Sequence, residues 1–175
     1  FLGDYAIAKG LAYTKPASAS GKTVAVIGGG PAGLSAAYQL SLKGHAATLF
    51  DERADLGGMM RYGIPGFRTP RDVLDAEIQR ILDLGITTRM NCRIGTDITM
   101  AQIREEFDAV FLGLGAQAGR ALPVEGADAP NCVTATSFLK AFNDGRLRHV
   151  GKRVVVVGGG DTSIDVATVA RRLGH

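Results

Sequence analysis

The sequence predicts an α/β protein whose parallel sheet carries two dinucleotide-binding units, the second of them truncated. Three observations predict it. Two short apolar runs, residues 24–27 and 154–157, read as strands covered on both faces of a parallel sheet. Each run leads into a glycine-rich turn and then into a helical pattern, the order that a Rossmann-like dinucleotide fold requires. Residues 22–45 also repeat at 152–175 with a constant offset of 130: Gly28, Gly29 and Gly30 match Gly158, Gly159 and Gly160, while Ala37, Gly44 and His45 match Ala167, Gly174 and His175. So long a period is not that of a solenoid, and it points to two domains built on one plan.

Taken in order, residues 1–12 (Phe1, Leu2, Tyr5, Ala6, Ile7) form an amphipathic pattern, read as a helix stopped near Gly10, and 14–21 read as a linker. The strand 24–27 is followed by a helix over 34–42 that ends at Gly44, and by a second strand over 46–50. Two Gly/Pro-rich stretches fill 51–69. Thr69-Pro70-Arg71-Asp72 reads as a helix start, with Thr69 as cap, Pro70 first in the helix and Asp72 completing a capping box. That helix runs through Val73, Leu74, Ile78, Ile81 and Leu82 to Gly85. An extended stretch over 86–94 precedes a short helix capped by Thr99 and Gln102. Residues 109–112 read as a buried strand, a helix is expected around 137–142, and a last helix follows the second glycine turn. The expected domains are an N-terminal helix and linker over 1–21, an FAD-binding domain over 22–148, and the incomplete start of an NAD(P)-binding domain over 149–175.

Composition narrows the function. With 175 residues and 46% of them hydrophobic, the chain can bury a sizeable core. Its net charge of +3 is spread along the chain, so no nucleic-acid footprint is expected. No apolar run reaches the roughly 18 residues of a membrane span, and the start does not resemble a signal peptide. Cys92 and Cys132 lie far apart without CxxC spacing and read as two buried, reduced thiols of a cytoplasmic enzyme, a disulfide being the alternative. The 24 glycines are about twice the usual share and cluster in short runs that suit loops around a ligand. The chain opens with Phe1 and stops at His175 after a strand–helix pattern, so a piece of a longer protein is expected.

Gly28-Gly29-Gly30-Pro31-Ala32-Gly33 is a G-x-G-x-x-G turn. Gly28 permits the tight turn, Gly30 lets a pyrophosphate approach the backbone, and Gly33 lets the helix pack closely on the strand. The helix N-terminus then offers free N–H groups and the positive end of its dipole to phosphate. The motif demands an acid about 20 positions on, at the end of the second strand, for the adenosine ribose. Asp51 stands there with Glu52 beside it, and either could reach the ribose. Gly158-Gly159-Gly160-Asp161-Thr162-Ser163 repeats the plan with a small Ser163 in the third glycine's place. Asp161 sets a carboxylate near a phosphate site, which is electrostatically poor; capping the helix is its physical alternative.

The runs VAVIGGGPAGLSAA (24–37), LFDE (49–52) and LGGMMRYGIPGFR (56–68) resemble the FAD half of the glutamate synthase small (beta) subunit family. The same module occurs in dihydropyrimidine dehydrogenase and in NADH-dependent ferredoxin:NADP oxidoreductases. The resemblance implies FAD in the first motif and NAD(P)H in the second, where Asp165 matches the last acid of the family pattern. It implies that Asp51 binds the ribose, that Gly58 and Met59 run along the pyrophosphate, and that Arg68 contacts FAD. Ile94 would reach the adenine through its backbone, and Gly115 would belong to the glycine-rich return of the FAD domain. Without the resemblance, Arg68 reads equally well as a surface arginine, and Met59 and Met60 as core packing.

The implied chemistry is hydride transfer between nicotinamide and flavin, which needs no catalytic side chain, so neither a catalytic residue nor a metal site is expected. The absence of Cys after Gly57-Gly58 argues against a disulfide reductase. The resemblance implies electron flow onward to an iron–sulfur cluster outside this chain, on an iron–sulfur domain or a catalytic partner subunit. Another FAD-dependent reductase or oxidase, and a non-catalytic nucleotide-binding module, are the alternative readings.

Overall fold

The computed structural model describes residues 2–174; Phe1 of the first helix and the His45–His175 match of the repeat lie outside that range. Along the chain run α1 (Leu2–Ala8), β1 (Thr23–Ile27), α2 (Pro31–Leu42), β2 (Ala46–Phe50), α3 (Met59–Tyr62), α4 (Arg71–Leu82), β3 (Thr87–Arg89), α5 (Met100–Glu106), β4 (Ala109–Leu112), α6 (Ala135–Asn143) and α7 (Asp161–Leu173). They divide into two compact units. The first takes the chain up to Gly58 together with Pro70–Gly115; the second takes Met59–Thr69 and the chain from Ala116 onward.

The first unit is a four-stranded sheet in the order β3–β2–β1–β4. Every pairing is parallel, and Ile27 stands opposite both Phe50 and Leu112. This is the order of one half of a doubly wound dinucleotide fold. The central β1 has no polar side to turn outward: Ala25 and Val26 are fully buried, as the unbroken apolar run predicts. Below the sheet, Ala25, Phe50 and Ile103 form a cluster against which Ile94, Ile98, Phe107 and Val110 pack. Phe107 meets Phe50 edge to face at 5.8 Å between ring centres, a favourable aromatic geometry. The start of β1 is pinned by Asp108, whose carboxylate accepts from the Thr23 amide and hydroxyl and from Lys22 Nζ.

In the second unit α6 and α7 pack through Leu139, Val166 and Val169, flanked by Phe138, Phe142, Val156 and Leu173. The segment Met59–Thr69 is held by α6, whose Asn143 Nδ2 donates to the carbonyls of Tyr62 and Ile64 at 3.0 and 3.2 Å.

The structure corrects several expectations. Residues 154–157 form no strand, and Val155 is 88% exposed. An apolar run becomes a buried strand only where neighbours supply hydrogen bonds and cover, and the described part of the second unit contains no strand to pair with it. Only Val156 turns onto the α6–α7 cluster. The strand β4 forms but is not buried: it pairs on one side alone, leaving Phe111 and Leu112 exposed. The box expected at Thr69 and Asp72 does not cap α4. Pro70 is the N-cap without a side-chain bond, and the Thr69 amide donates to Pro65 O at 2.9–3.2 Å from the same carbonyl that takes Arg68. The Thr99–Gln102 capping box does form, with both reciprocal bonds in place. The first helix ends at Ala8, short of Gly10, and α2 starts three residues earlier than its apolar pattern, at Pro31. Cys92 is half-buried and Cys132 exposed, so the thiols are free but not both buried. No helix among the described residues is long and apolar enough to cross a membrane.

Candidate functional site

The first glycine turn joins β1 to α2 beside the C-terminal ends of β1 and β4. Here the strand order reverses, with β2 on one side of β1 and β4 on the other, and open α/β sheets bind ligands at such a switch point. Gly28 has φ +105°, and a Cβ on it would be driven into the carbonyl oxygen of Gly113. That neighbour is itself fixed, its amide donating to Ile27 O at 2.7 Å. A Cβ on Gly33 would collide with the Gly28 carbonyl and stand 3.3 Å from Val26 Cγ1, so the helix can sit on the strand end only with glycine there.

Gly30 is the extended N-cap of α2 and has no side-chain cap. A second glycine loop is laid against it. The Gly57 amide donates to Gly29 O at 2.8 Å, and a Cβ on Gly58 would stand 2.7 Å from Gly30 Cα. Two glycines facing each other leave the start of α2 uncovered by side chains. Pro31 and Ala32 are exposed there, and the first N–H groups of the helix lack intrahelical acceptors. A diphosphate fits this cradle sterically and by charge.

Asp51 closes one side of the cradle. Its Oδ2 accepts the Gly29 amide at 2.7 Å and its Oδ1 accepts the Arg53 amide at 2.9 Å. Its own amide donates to Arg89 O, and its carbonyl accepts from Cys92 N. An ionised carboxylate offers about four lone-pair sites, so both oxygens keep acceptor capacity after these bonds. Glu52 points elsewhere, facing Arg93 Nε at 3.6 Å with both side chains well exposed, a pair that solvent screens to little value. The geometry thus brings Asp51, and not Glu52, to the glycine turn.

The remaining expected site residues fall in different places. Ile94 packs its side chain on the core cluster and bridges to Ile98. Gly115 lies exposed in the loop after β4 with φ +69°. Met59 opens α3 in the second unit, where its carbonyl takes the amides of Gly63 and Ile64 and its side chain lies against Gly63. Arg68 has a protein partner: its Nη1 stands 2.8 Å from both carboxylate oxygens of Asp165. The bonds and charge of Asp165, with a smaller contribution from Asp161, hold the guanidinium more firmly protonated than usual. Phe67, next in the chain, lies under the guanidinium of Arg172 at 3.7 Å.

In the second motif, Gly158 has φ +131°, and the Ser163 hydroxyl lies against it. Gly159 and Gly160 have open space where a Cβ would point. Gly160 is the N-cap of α7 and Asp161 its first helical residue, so the capping reading of Asp161 does not hold. Thr162 is exposed, and the amides of Ser163 and Ile164 donate to Gly160 O. The first motif is therefore assembled with its strand and acid, whereas the second is a turn and a helix without a strand behind it.

Sequence reasoning missed the partners of the segment Met59–Thr69: Asn143, Arg172 and the pairing of Arg68 with Asp165. One signal was available for the last. At the offset of 130, Asp165 corresponds to Ser35, so the second helix carries a charge where the first has a small neutral residue.

Residues 22–175 match the family described as pyridine nucleotide-disulphide oxidoreductase. The chain is 45% identical over 158 residues to the NADP(+)-dependent formate dehydrogenase subunit beta of Moorella thermoacetica, covering 89% of this chain and 22% of that protein. It is 38% identical over 172 residues to the glutamate synthase [NADPH] small chain of Mycobacterium tuberculosis, covering 91% of this chain and 35% of that protein. The fold matches Mycobacterium tuberculosis FprA, solved in complex with NADPH, with a TM-score of 0.76 at 24% identity, over 85% of this chain and 36% of that one. The chain thus spans a fifth to about a third of the length of these proteins. With the switch-point glycine turn, the acid that closes it and a match over nearly its whole length, the chain belongs to the pyridine nucleotide-disulphide oxidoreductase family, whose members bind FAD and NAD(P)H.

Proposed function

We propose that the chain is an electron-transfer module that takes reducing equivalents from NAD(P)H into FAD and passes them to an iron–sulfur cluster or partner subunit outside this chain. The observation that carries this reading is the cradle of Gly30 against Gly58, closed by the Asp51 carboxylate. Gly28, Gly30, Pro31, Ala32 and Gly33 would hold the FAD pyrophosphate, with Asp51 on the ribose, Gly58 and Met59 along the phosphates, and Ile94 and Gly115 at the edges. Gly158, Gly160, Asp161, Thr162 and Ser163 would take NAD(P)H. The corresponding domains are 22–148 for FAD and the portion of an NAD(P)H domain that begins at 149.

FAD, when bound, supplies a two-electron acceptor that can release electrons singly. The chain's own residues bind and orient. The glycines admit the phosphates to the backbone, the α2 N-terminus offsets their charge, and Asp51 fixes the turn while keeping acceptors for hydroxyls. No acid or base is needed for hydride transfer. The named relatives are a subunit and a small chain of larger assemblies, which supports a partner. Two free cysteines, one in each unit, do not favour the disulphide branch of the family, and free thiols suit a cytoplasmic protein.

The test uses the full-length protein. It should show flavin absorption bands that bleach when NADH or NADPH is added without oxygen. Gly160→Val should stop that bleaching and leave the flavin bound. A colourless protein that fails to take up added FAD would support a non-catalytic nucleotide-binding module instead.

A further inference from the structure

Arg68 and Asp165 lie 97 residues apart in sequence, yet one guanidinium nitrogen reaches both carboxylate oxygens at 2.8 Å. Their environments differ. The Asp165 side chain is 8% exposed and Arg68 is 49% exposed. A carboxylate that deep needs a partner, because an unpaired buried charge is far more costly than a paired one. The arginine does not need the aspartate in the same way, since water still reaches it. The pair therefore serves the helix that carries Asp165.

That helix is α7, opened by the second glycine turn. Asp165 follows Asp161 by one helical turn, so two carboxylates stand near the end expected to receive a diphosphate. Arg68 is the cation beside them. It is fixed in turn: Phe67 stacks under Arg172 from the last turn of α7, and Asn143 holds the carbonyls of Tyr62 and Ile64 upstream. The segment thus grips α7 at two levels, through Asp165 and through Arg172.

We propose that Arg68 is a positioning residue of the nicotinamide side, whose ion pair with Asp165 fixes α7 and the Gly158–Ser163 turn and offsets the negative charge there so that a dinucleotide diphosphate can bind. The proposal rests on reading the second turn as the NAD(P)H site. It moves Arg68 from the flavin, where resemblance alone would set it, to the other cofactor.

The test measures the dissociation constant of the oxidised nucleotide by calorimetry on the full-length, FAD-loaded protein, together with flavin content and with KM and kcat. Arg68→Ala strands the buried carboxylate and should weaken nucleotide binding by about tenfold or more, the worth of lost charge-assisted bonds. KM should rise in parallel while kcat changes much less and flavin content holds. Asp165→Ala should be milder, because the exposed arginine regains water. The double variant should resemble Asp165→Ala, not the product of the two, and Arg68→Lys should recover part of the loss. If Arg68→Ala does not fold, Arg68→Lys and Asp165→Ala carry the comparison. Loss of flavin from Arg68→Ala without any effect of Asp165→Ala on nucleotide affinity would overturn the proposal, as would effects that multiply in the double variant. If Gly160→Val leaves nucleotide affinity unchanged, the underlying reading of the second turn fails instead.

Discussion

Replacing Asp51 by alanine should damage the protein before any cofactor arrives. The carboxylate accepts the Gly29 amide at 2.7 Å and the Arg53 amide at 2.9 Å, both partly buried. Hydrogen bonds to a charged acceptor contribute about 1.5–3 kcal/mol each. Asp51→Ala removes both, but water can reach a site that is only half-closed, so about 2–4 kcal/mol of lost stability is expected in the flavin-free protein. FAD affinity should fall as well, by about one to two orders of magnitude for the ribose bonds. The two effects separate experimentally. Denaturant unfolding of the flavin-free full-length protein reads the first, and fluorescence titration with FAD reads the second. An unchanged unfolding midpoint would refute the clamp. If Glu52→Ala weakens FAD binding and Asp51→Ala does not, the acid at the strand end has been assigned to the wrong residue.

Two further outcomes follow from the geometry. Gly58→Val places a branched side chain at φ +51° with its Cβ 2.7 Å from Gly30 Cα, so the flavin-to-protein ratio of the purified protein should collapse; normal flavin content would remove the cradle from the argument. Lys22 and the Thr23 amide and hydroxyl lower the Asp108 carboxyl from its usual 3.8 to about 2, so its contribution is present above the ordinary value and fades as pH falls from 3.8 toward 2. Asp108→Asn should therefore lower stability near neutral pH and flatten its decline over that acid window, and parallel stability–pH curves for variant and wild type would contradict this.

Some of this was legible in the sequence and some was not, and the division has a physical cause. The β1–turn–α2–β2 unit was legible because its requirements are local: an apolar run, glycines at fixed offsets, and an acid where β2 ends. The Thr99–Gln102 cap was legible for the same reason. The run at 154–157 looked identical to β1, but burial belongs to neighbours, and a run cannot announce whether they are there. Thr69 looked like a cap, yet Pro70 took the position, since the chain arrives already turned through the carbonyl of Pro65. At the site, Asp51 was found but its bond to the Gly29 amide was not, because spacing gives a residue's place on a strand and not the direction of its carboxylate. Arg68 was the instructive error. Its type suits a phosphate, but its partner lies 97 residues on, beyond the reach of any local pattern.

The division of the chain into units has a consequence for how it is made. Met59–Thr69 belongs to the second unit, yet it interrupts the first, which resumes at Pro70. On the ribosome those eleven residues appear early, and Asp165 follows Arg68 by 97 positions. At about 5–20 residues per second, the arginine waits about 5–20 s for its carboxylate to be synthesised. Through that interval the first sheet can close only around a loop that is not yet anchored, so nascent chains should stay sensitive to protease near Gly63 after β1, β2 and β4 have already paired.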